Sequence, residues 1–284
     1  MKINPLIKLF RVFLTLFLFF YSNFALFMLK LSKGDEQMNI FQKFIQLFSK
    51  NNECKVSAII LCAGSSTRFS GGEESKQLVE INGISVIERT LRAFDDANSI
   101  NEIIVVVRKE DAEKYKEFIF EKGFNKVKCI VIGGDTRQIS AMKGFMHVNE
   151  KAKYVAIHDG ARCLITPEII EKVVAEAEVH ACATAASRVT DTVKVCDEEG
   201  FIDRTLNRNY IWNVQTPQIF EYIKYKTALV KAKKDEVEVT DDCMLLEYAG
   251  YKVKLVDTGL ENIKITVYDD LKRAEAILLM RGEK

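Results

Sequence analysis

From Val56 onward, short apolar runs alternate with longer stretches whose apolar positions recur at helical spacing. The runs Val56–Cys62, Glu102–Val107, Val127–Ile132, Tyr154–His158 and Ala181–Ala186 predict strands. Between them, Ser85–Phe94, Asp111–Lys122, Thr136–His147 and Pro167–Val179 predict helices. Strands that are apolar on both sides and alternate with helices mark a parallel sheet covered on both faces. Thr166-Pro167-Glu168 reads as a helix start, with a capping Thr and a Pro where no N–H is needed. Val189–Val195 turns at Asp197-Glu198-Glu199-Gly200 into Phe201–Thr205, which predicts a hairpin, a β-arm over residues 188–212. Helices over Glu221–Lys233, Asp241–Tyr248 and Tyr268–Arg281 and a strand over Lys252–Val256 complete the pattern, without internal repeats. The expected fold is a three-layer α/β domain over 54–284 with an inserted β-arm.

Residues 1–53 are of another character. They carry seven Lys/Arg against three acids, and ten of the chain's 18 Phe. Val12–Leu29 is eighteen residues without a charge, the lower edge of what spans a bilayer as a helix. One reading is a membrane anchor that leaves the rest of the chain in the cytosol. A secretory signal is the weaker alternative, because no small-x-small cleavage site follows the apolar run. The other reading starts the protein at Met38, since Lys33-Gly34-Asp35-Glu36-Gln37 back-translates into a purine-rich tract resembling a bacterial ribosome-binding site. On that reading the whole protein is cytoplasmic.

Charge and cysteine content narrow the function. With 41 Lys+Arg and 40 Asp+Glu, the chain lacks the basic excess of a nucleic-acid-binding domain. Seven cysteines form no CxxC pair, which excludes zinc knuckles and dithiol redox motifs and fits reduced thiols in a cytosolic protein. No nucleophile elbow is present.

The polar clusters fall at predicted strand ends, where open α/β sheets bind ligands. Cys62-Ala63-Gly64-Ser65-Ser66-Thr67-Arg68-Phe69-Ser70-Gly71-Gly72 follows the first strand, with Lys76 beyond. Small residues there let backbone N–H groups approach phosphates, and Arg68 and Lys76 suit a triphosphate whose α-phosphorus gains charge under attack. The loop is neither GxGxxG nor GxxxxGK[ST], which disfavours hydride transfer and P-loop chemistry; a merely solvated loop is the alternative. Gly133-Gly134-Asp135-Thr136-Arg137, with Ser140 one turn on, follows the third strand, and His158-Asp159-Gly160-Ala161-Arg162 follows the fourth. Asp159 is placed as a Mg²⁺ ligand or, alternatively, as a turn cap. His158 reads as a structural, hydrogen-bonded histidine in preference to a general base. Asp191-Thr192, Asn207-Arg208, Thr216-Pro217-Gln218, Thr240-Asp241 and Asn262-Ile263-Lys264 complete the polar set.

In this order, AGSSTRF…SKQ, GGDTRQIS, HDGAR, DT, NR…W…TPQ, TDD…LEYAG and NIKIT resemble the 2-C-methyl-D-erythritol 4-phosphate cytidylyltransferase family over essentially all of 56–284. The resemblance implies a Rossmann-like nucleotidyltransferase fold that moves CMP from CTP to 2-C-methyl-D-erythritol 4-phosphate with Mg²⁺. It also implies a homodimer whose β-arm reaches the partner's site. Arg68 and Lys76 match the basic pair that stabilises the pentacoordinate α-phosphate. Ala63, Gly64, Gly134, Asp135, Ser140 and Gly160 match nucleotide-binding positions, with Asp159 near metal and substrate. Arg162, Thr192, Arg208, Thr216, Thr240 and Lys264 match positions around the acceptor, and Thr192 and Arg208 would come from the other subunit. Arg208 and Lys264 join Arg68 and Lys76 as the expected catalytic cations.

Departures are Ser75 where the family has Pro, the lengthened Gly71-Gly72-Glu73-Glu74 loop, and Gly160 and Cys163 in place of Ala and Pro, both expected to be tolerated. Ribitol-5-phosphate cytidylyltransferase is the nearest alternative, and Gly-Ala after Asp159, where that enzyme tends to have Ser-Val, favours the methylerythritol substrate. A membrane-tethered nucleotide-binding module without catalysis is the second.

Overall fold

The computed structural model describes residues 55–64, 69 and 76–283, within a compact unit from Cys54 to Lys284. The readings of Val12–Leu29 and Met38, and of Arg68 and Ser75, fall on residues outside those described.

The chain runs β1 (Val56–Cys62), β2 (Glu80–Ile81), β3 (Ile84–Ser85), α1 (Val86–Asp96), β4 (Ile100–Val107), α2 (Ala112–Lys122), β5 (Val127–Ile132), α3 (Arg137–Phe145), β6 (Tyr154–Asp159), α4 (Pro167–His180), β7 (Cys182–Arg188), β8 (Lys194–Cys196), β9 (Ile202–Thr205), β10 (Trp212–Glu221), α5 (Tyr222–Lys234), α6 (Asp242–Tyr248), β11 (Lys254–Asp257) and α7 (Asp269–Met280). A seven-stranded sheet takes the order β11-β7-β10-β6-β1-β4-β5. Its pairings are parallel except those of β10, which runs against β6 and β7.

The doubly apolar strands follow from two cores. On one face Ala58, Ile60 and Cys62 pack with Leu91, Phe94, Tyr115 and Val173 of α1, α2 and α4. On the other, Ile59 and Leu61 pack with Phe145 of α3 and Tyr225 of α5. Each fully buried Ile or Leu contributes about 1.5–3 kcal/mol, so β1 stabilises both layers. Thr166 caps α4 as expected, its side chain accepting from the backbone N–H of Ile169, and Ser85 and Thr136, where two other helices were predicted to start, cap α1 and α3 by accepting from Glu88 and Ile139 N–H. β7 starts one residue later than predicted because Ala181, in the left-handed region at φ 68°, closes α4.

The arm, 188–212, carries a shorter hairpin than predicted, whose first strand is only Lys194–Cys196. Trp212 pairs with Arg188 at its base, the Arg188 guanidinium lies 4.5 Å from the Trp212 ring centre, and β8 and β9 form the hairpin above. The apolar pattern does not show β10. Its Gln215, Thr216 and Gln218 are polar and Pro217 interrupts them, which reads as a loop. The strand is nevertheless central, with these three side chains buried. The pairing with β7 lapses between Val214 and Gln218, where the Thr216–Pro217 peptide is cis.

Gly160 sits where β1 and β6 end side by side, its N–H donating to Leu61 O at 2.9 Å. A Cβ there would lie 2.4 Å from Cys62 Sγ. The glycine is therefore the complement of the Cys62 sulfur, a stronger constraint than the tolerated small change expected from sequence. Gly160→Ala is expected to cost about 1–3 kcal/mol by overpacking, read as a lower urea midpoint at unchanged m. Cys62→Ala in the same chain should recover much of that loss; a double variant no more stable than the sum of the singles would show that the sulfur is not the obstacle.

Candidate active site

The carboxyl ends of β1, β4, β5 and β6 open into one cleft of about 500 Å³, the size range of small-ligand sites. Of the residues predicted from sequence, Ala63, Gly64, Lys76, Gly134, Asp135, Ser140, Asp159 and Lys264 line it together, with Gln77, Arg108, Glu110 and Arg137.

The nucleotide-side wall is built by close approach. A Cβ on Gly133 would lie 2.5 Å from Ala63 Cβ, and one on Gly134 would lie 2.2 Å from Ile139 Cγ2. Only glycines let the β5–α3 turn fold against β1 in this way. Ser140, buried one turn into α3, holds the turn: its Oγ accepts from Gly134 N–H at 3.0 Å and donates to Gly134 O at 3.3 Å. The main chain of both turns thus borders the cleft.

Asp159 forms its floor. Lys264 Nζ donates to Oδ2 at 2.8 Å, Arg137 Nε to Oδ1 at 3.3 Å, and Arg162 Nε lies 4.0 Å from Oδ2. Burial opposes ionisation of this carboxyl, but Arg137 first, then Lys264 and Arg162, hold it well below the usual carboxylate range. Arg137 is itself gripped from behind by Asp242, Nη1 to Oδ2 at 2.6 Å. Burial works against its charge, and Asp242 with Asp159 more than restore it.

His158 is fully buried. Asp159 N–H donates to Thr216 Oγ1 at 3.1 Å, and that hydroxyl lies 3.0 Å from His158 Nδ1. His158 Nε2 faces Arg162 O at 3.3 Å. These partners assign a neutral ring with the proton on Nε2. Burial, aided by Arg162 and Lys264, pushes its pKa down to about 3. The histidine is a brace, in line with the structural role read from sequence.

The remaining predicted residues that are described, Gly160, Arg162, Thr192, Arg208, Thr216 and Thr240, are not among those lining the cleft. Gly160 lies buried behind β6, and Arg162 is anchored by Nη1 to Asn262 O at 2.8 Å. The Thr216 hydroxyl is engaged by His158 and the Asp159 amide. Thr240 is exposed beside α6, whose first turn is capped by Asp241, Oδ1 accepting from Met244 N–H at 2.9 Å. Thr192 and Arg208 are exposed on the arm and do not line this chain's own cleft. Arg137 belongs to the GGDTRQIS motif, yet sequence reasoning assigns it no role. Its signal is its place: a cation at the first residue of a helix opposes the helix dipole and needs a carboxylate partner.

Among the described residues no group of three or more His, Cys, Asp or Glu is placed to hold a metal ion. A Mg²⁺ ion keeps most of its shell as water and phosphate oxygens and takes one or two carboxylates, so Asp159 at the cleft floor fits an ion that arrives with a triphosphate. Burial pushes the Cys62 thiol up to about 12 and those of Cys163 and Cys182 to about 11, which leaves them inert at neutral pH. No helix among the described residues is long and apolar enough to cross a membrane.

Residues 56–280 match the family profile of 2-C-methyl-D-erythritol 4-phosphate cytidylyltransferase. The chain is 43% identical over 228 residues to the enzyme of that name from Caldanaerobacter subterraneus subsp. tengcongensis, covering 78% of this chain and 98% of the relative. It is 38% identical to the one from Pelotomaculum thermopropionicum, covering 80% and 95%. Among solved structures, the 4-diphosphocytidyl-2C-methyl-D-erythritol synthase of Anaerococcus prevotii superposes with a TM-score of 0.70 at 33% identity, over 79% of this chain and 98% of that one. The cytidylyltransferase of Thermus thermophilus gives 0.65 at 28% identity, over 78% and 98%. With the strand-end cleft, the glycine turn and the cation-ringed Asp159 in the order the motifs require, this chain belongs to the 2-C-methyl-D-erythritol 4-phosphate cytidylyltransferase family of nucleotidyltransferases.

Proposed function

We propose that the chain transfers CMP from CTP to 2-C-methyl-D-erythritol 4-phosphate, giving 4-diphosphocytidyl-2-C-methyl-D-erythritol and pyrophosphate in isoprenoid precursor synthesis. The observation that carries the reading is the convergence of Lys76, Lys264 and Asp159 with the two small-residue turns in one cleft.

A phosphate oxygen of the acceptor attacks the α-phosphorus of CTP, and the bond to the β-phosphate breaks in line as pyrophosphate leaves. That oxygen is already anionic, so no general base or covalent intermediate is required, only positioning and charge neutralisation. The turns at Ala63–Gly64 and Gly133–Gly134, with Asp135 and Ser140, form the nucleotide side of the cleft. Lys76, which lines the cleft, and Arg68, by its place in the motif, would neutralise the charge that develops on the α-phosphate. Asp159 would hold Mg²⁺, which when bound supplies further charge neutralisation at the phosphates. Arg162, Thr216, Thr240 and Lys264 surround the acceptor. The exposed arm, with Thr192, Arg208 and the solvent-facing Phe201, Ile202 and Tyr210, supports a homodimer in which each arm completes the partner's cleft. The cysteines described are all free, in keeping with a cytoplasmic setting.

The direct test is pyrophosphate release from CTP and Mg²⁺ by the purified chain and by residues 38–284, with methylerythritol 4-phosphate and ribitol 5-phosphate offered in parallel. Turnover of the first alone is expected; turnover of ribitol phosphate alone would reassign the acceptor, and silence with both would favour a binding module. Lys264→Ala and Lys76→Ala should each lower kcat by about 10²–10³, the loss typical of one preorganised charge partner, while CTP still binds in calorimetry. Near-normal kcat in both would refute these roles.

His158 gives a prediction on pH. Its folded pKa, about 3, lies below its ordinary value of 6.5. The unfolded chain therefore takes up a proton that the fold excludes, so stability from this group is complete above pH 6.5 and is lost as pH falls towards 3. The imidazole NMR signals of His158 should show a neutral ring down to about pH 4, and a ring that charges near pH 6.5 would contradict the brace.

A further inference from the structure

We infer that Arg137 is a positioning residue, a strut anchored on Asp242 that fixes the orientation of Asp159 during transfer. The inference rests on the cytidylyltransferase reading for its consequence and on the geometry alone for the strut.

Arg137 is the first residue of α3 and its guanidinium reaches in two directions, to Asp159 Oδ1 at 3.3 Å and to Asp242 Oδ2 at 2.6 Å. The shorter contact is to the more deeply buried partner. Asp242 is buried, its Oδ1 accepts from Tyr225 Oη at 2.6 Å, and its N–H donates to Gln218 Oε1 at 3.0 Å. The planar fork of an arginine can serve two carboxylates at once with little freedom left. Asp159 is thereby divided by role. Oδ2 faces Lys264, a cation that an incoming phosphate would attract, while Oδ1 is held from the opposite side by a group tied to α6. When Lys264 turns to a phosphate, Arg137 keeps Asp159 from following. The same strut links β6 to the start of α6, next to Thr240, so the cleft floor and the acceptor-side loop keep one spacing.

The test compares Arg137→Gln, Arg137→Lys, Asp242→Asn and the double variant Arg137→Gln/Asp242→Asn. The double variant removes both charges and guards against misfolding from an orphaned carboxylate. Asp242→Asn leaves the Arg137 charge in the cleft but cuts its anchor. The strut predicts that Asp242→Asn and Arg137→Gln each lower kcat about 10–100-fold, as a small misplacement of a reacting group does. The Kd for CTP should stay within about threefold, since neither variant removes a nucleotide contact. Arg137→Lys should rescue only in part, and the double variant should be no worse than either single. Wild-type kcat per folded molecule in Asp242→Asn or in the double variant overturns the inference. So does an inactive Arg137→Gln beside a normal Asp242→Asn, which would put Arg137 on the substrate directly. An independent readout is hydrogen exchange of the Arg137 Nε–H by NMR, expected to be protected in the full chain and exposed in Asp242→Asn. If the parent chain turns over neither acceptor, the functional reading fails while this measurement still decides the strut, and unchanged protection refutes it.

Discussion

A carboxylate withdrawn from water at the end of a buried strand costs several kcal/mol unless cations and hydrogen-bond donors replace its hydration. Asp159 is such a group, and the elements around the cleft are arranged to satisfy it. Arg137 comes from α3, Arg162 from the loop after β6, and Lys264 from the segment before α7. These three cations serve two carboxylates, Asp159 and the Asp242 behind Arg137, which leaves a surplus of one positive charge among these groups. That surplus is what a triphosphate and a second phosphate require. The compensation that allows the fold also sets the field in the cleft proposed to receive the substrates.

The polar centre of β10 carries that arrangement outward. Gln218 Oε1 accepts from the N–H groups of Asp242 and Cys243, and its Nε2 donates to Asp241. Gln215 Oε1 accepts from Asn262 and Thr258, and Thr216 joins His158 to the Asp159 amide. Successive buried side chains of one strand thus fix the loops bearing Asp159, Thr240 and Lys264. A buried amide or hydroxyl left unpaired costs about 1–3 kcal/mol, so each loop is held in the one position that satisfies the strand. An apolar β10 would pack as well and specify none of this.

No described group in the cleft acts as a strong base or nucleophile, in accord with chemistry in which the substrate brings its own anion. The imidazole of His158 is neutral and engaged at both nitrogens, and the buried thiols stay protonated. Rate enhancement of this kind resides in preorganised charge, which a rigid sheet edge supplies better than mobile loops.

The central strands β1, β4, β6 and β7 were legible because burial on both faces demands unbroken apolar runs, the half-exposed edge strands β5 and β11 by shorter apolar runs, and α4 by its capping Thr166. The eight predicted residues that line the cleft were legible within motifs, most of them at strand ends, whereas Arg108, Glu110 and the role of Arg137 were not. What the sequence could not determine is which polar residues face one another. Arg137 and Asp242 are 105 residues apart, as are Lys264 and Asp159, and no local pattern links them. β10 was hidden for the same reason: its glutamines and threonine read as a loop until the sheet places them against the loops they hold. The Gly160–Cys62 complement likewise exists only where β1 and β6 lie side by side. Local spacing determined the elements and the kinds of chemistry available; only the packing of distant strand ends decided which charges meet, because the cost of a buried unpaired group is settled by neighbours in space.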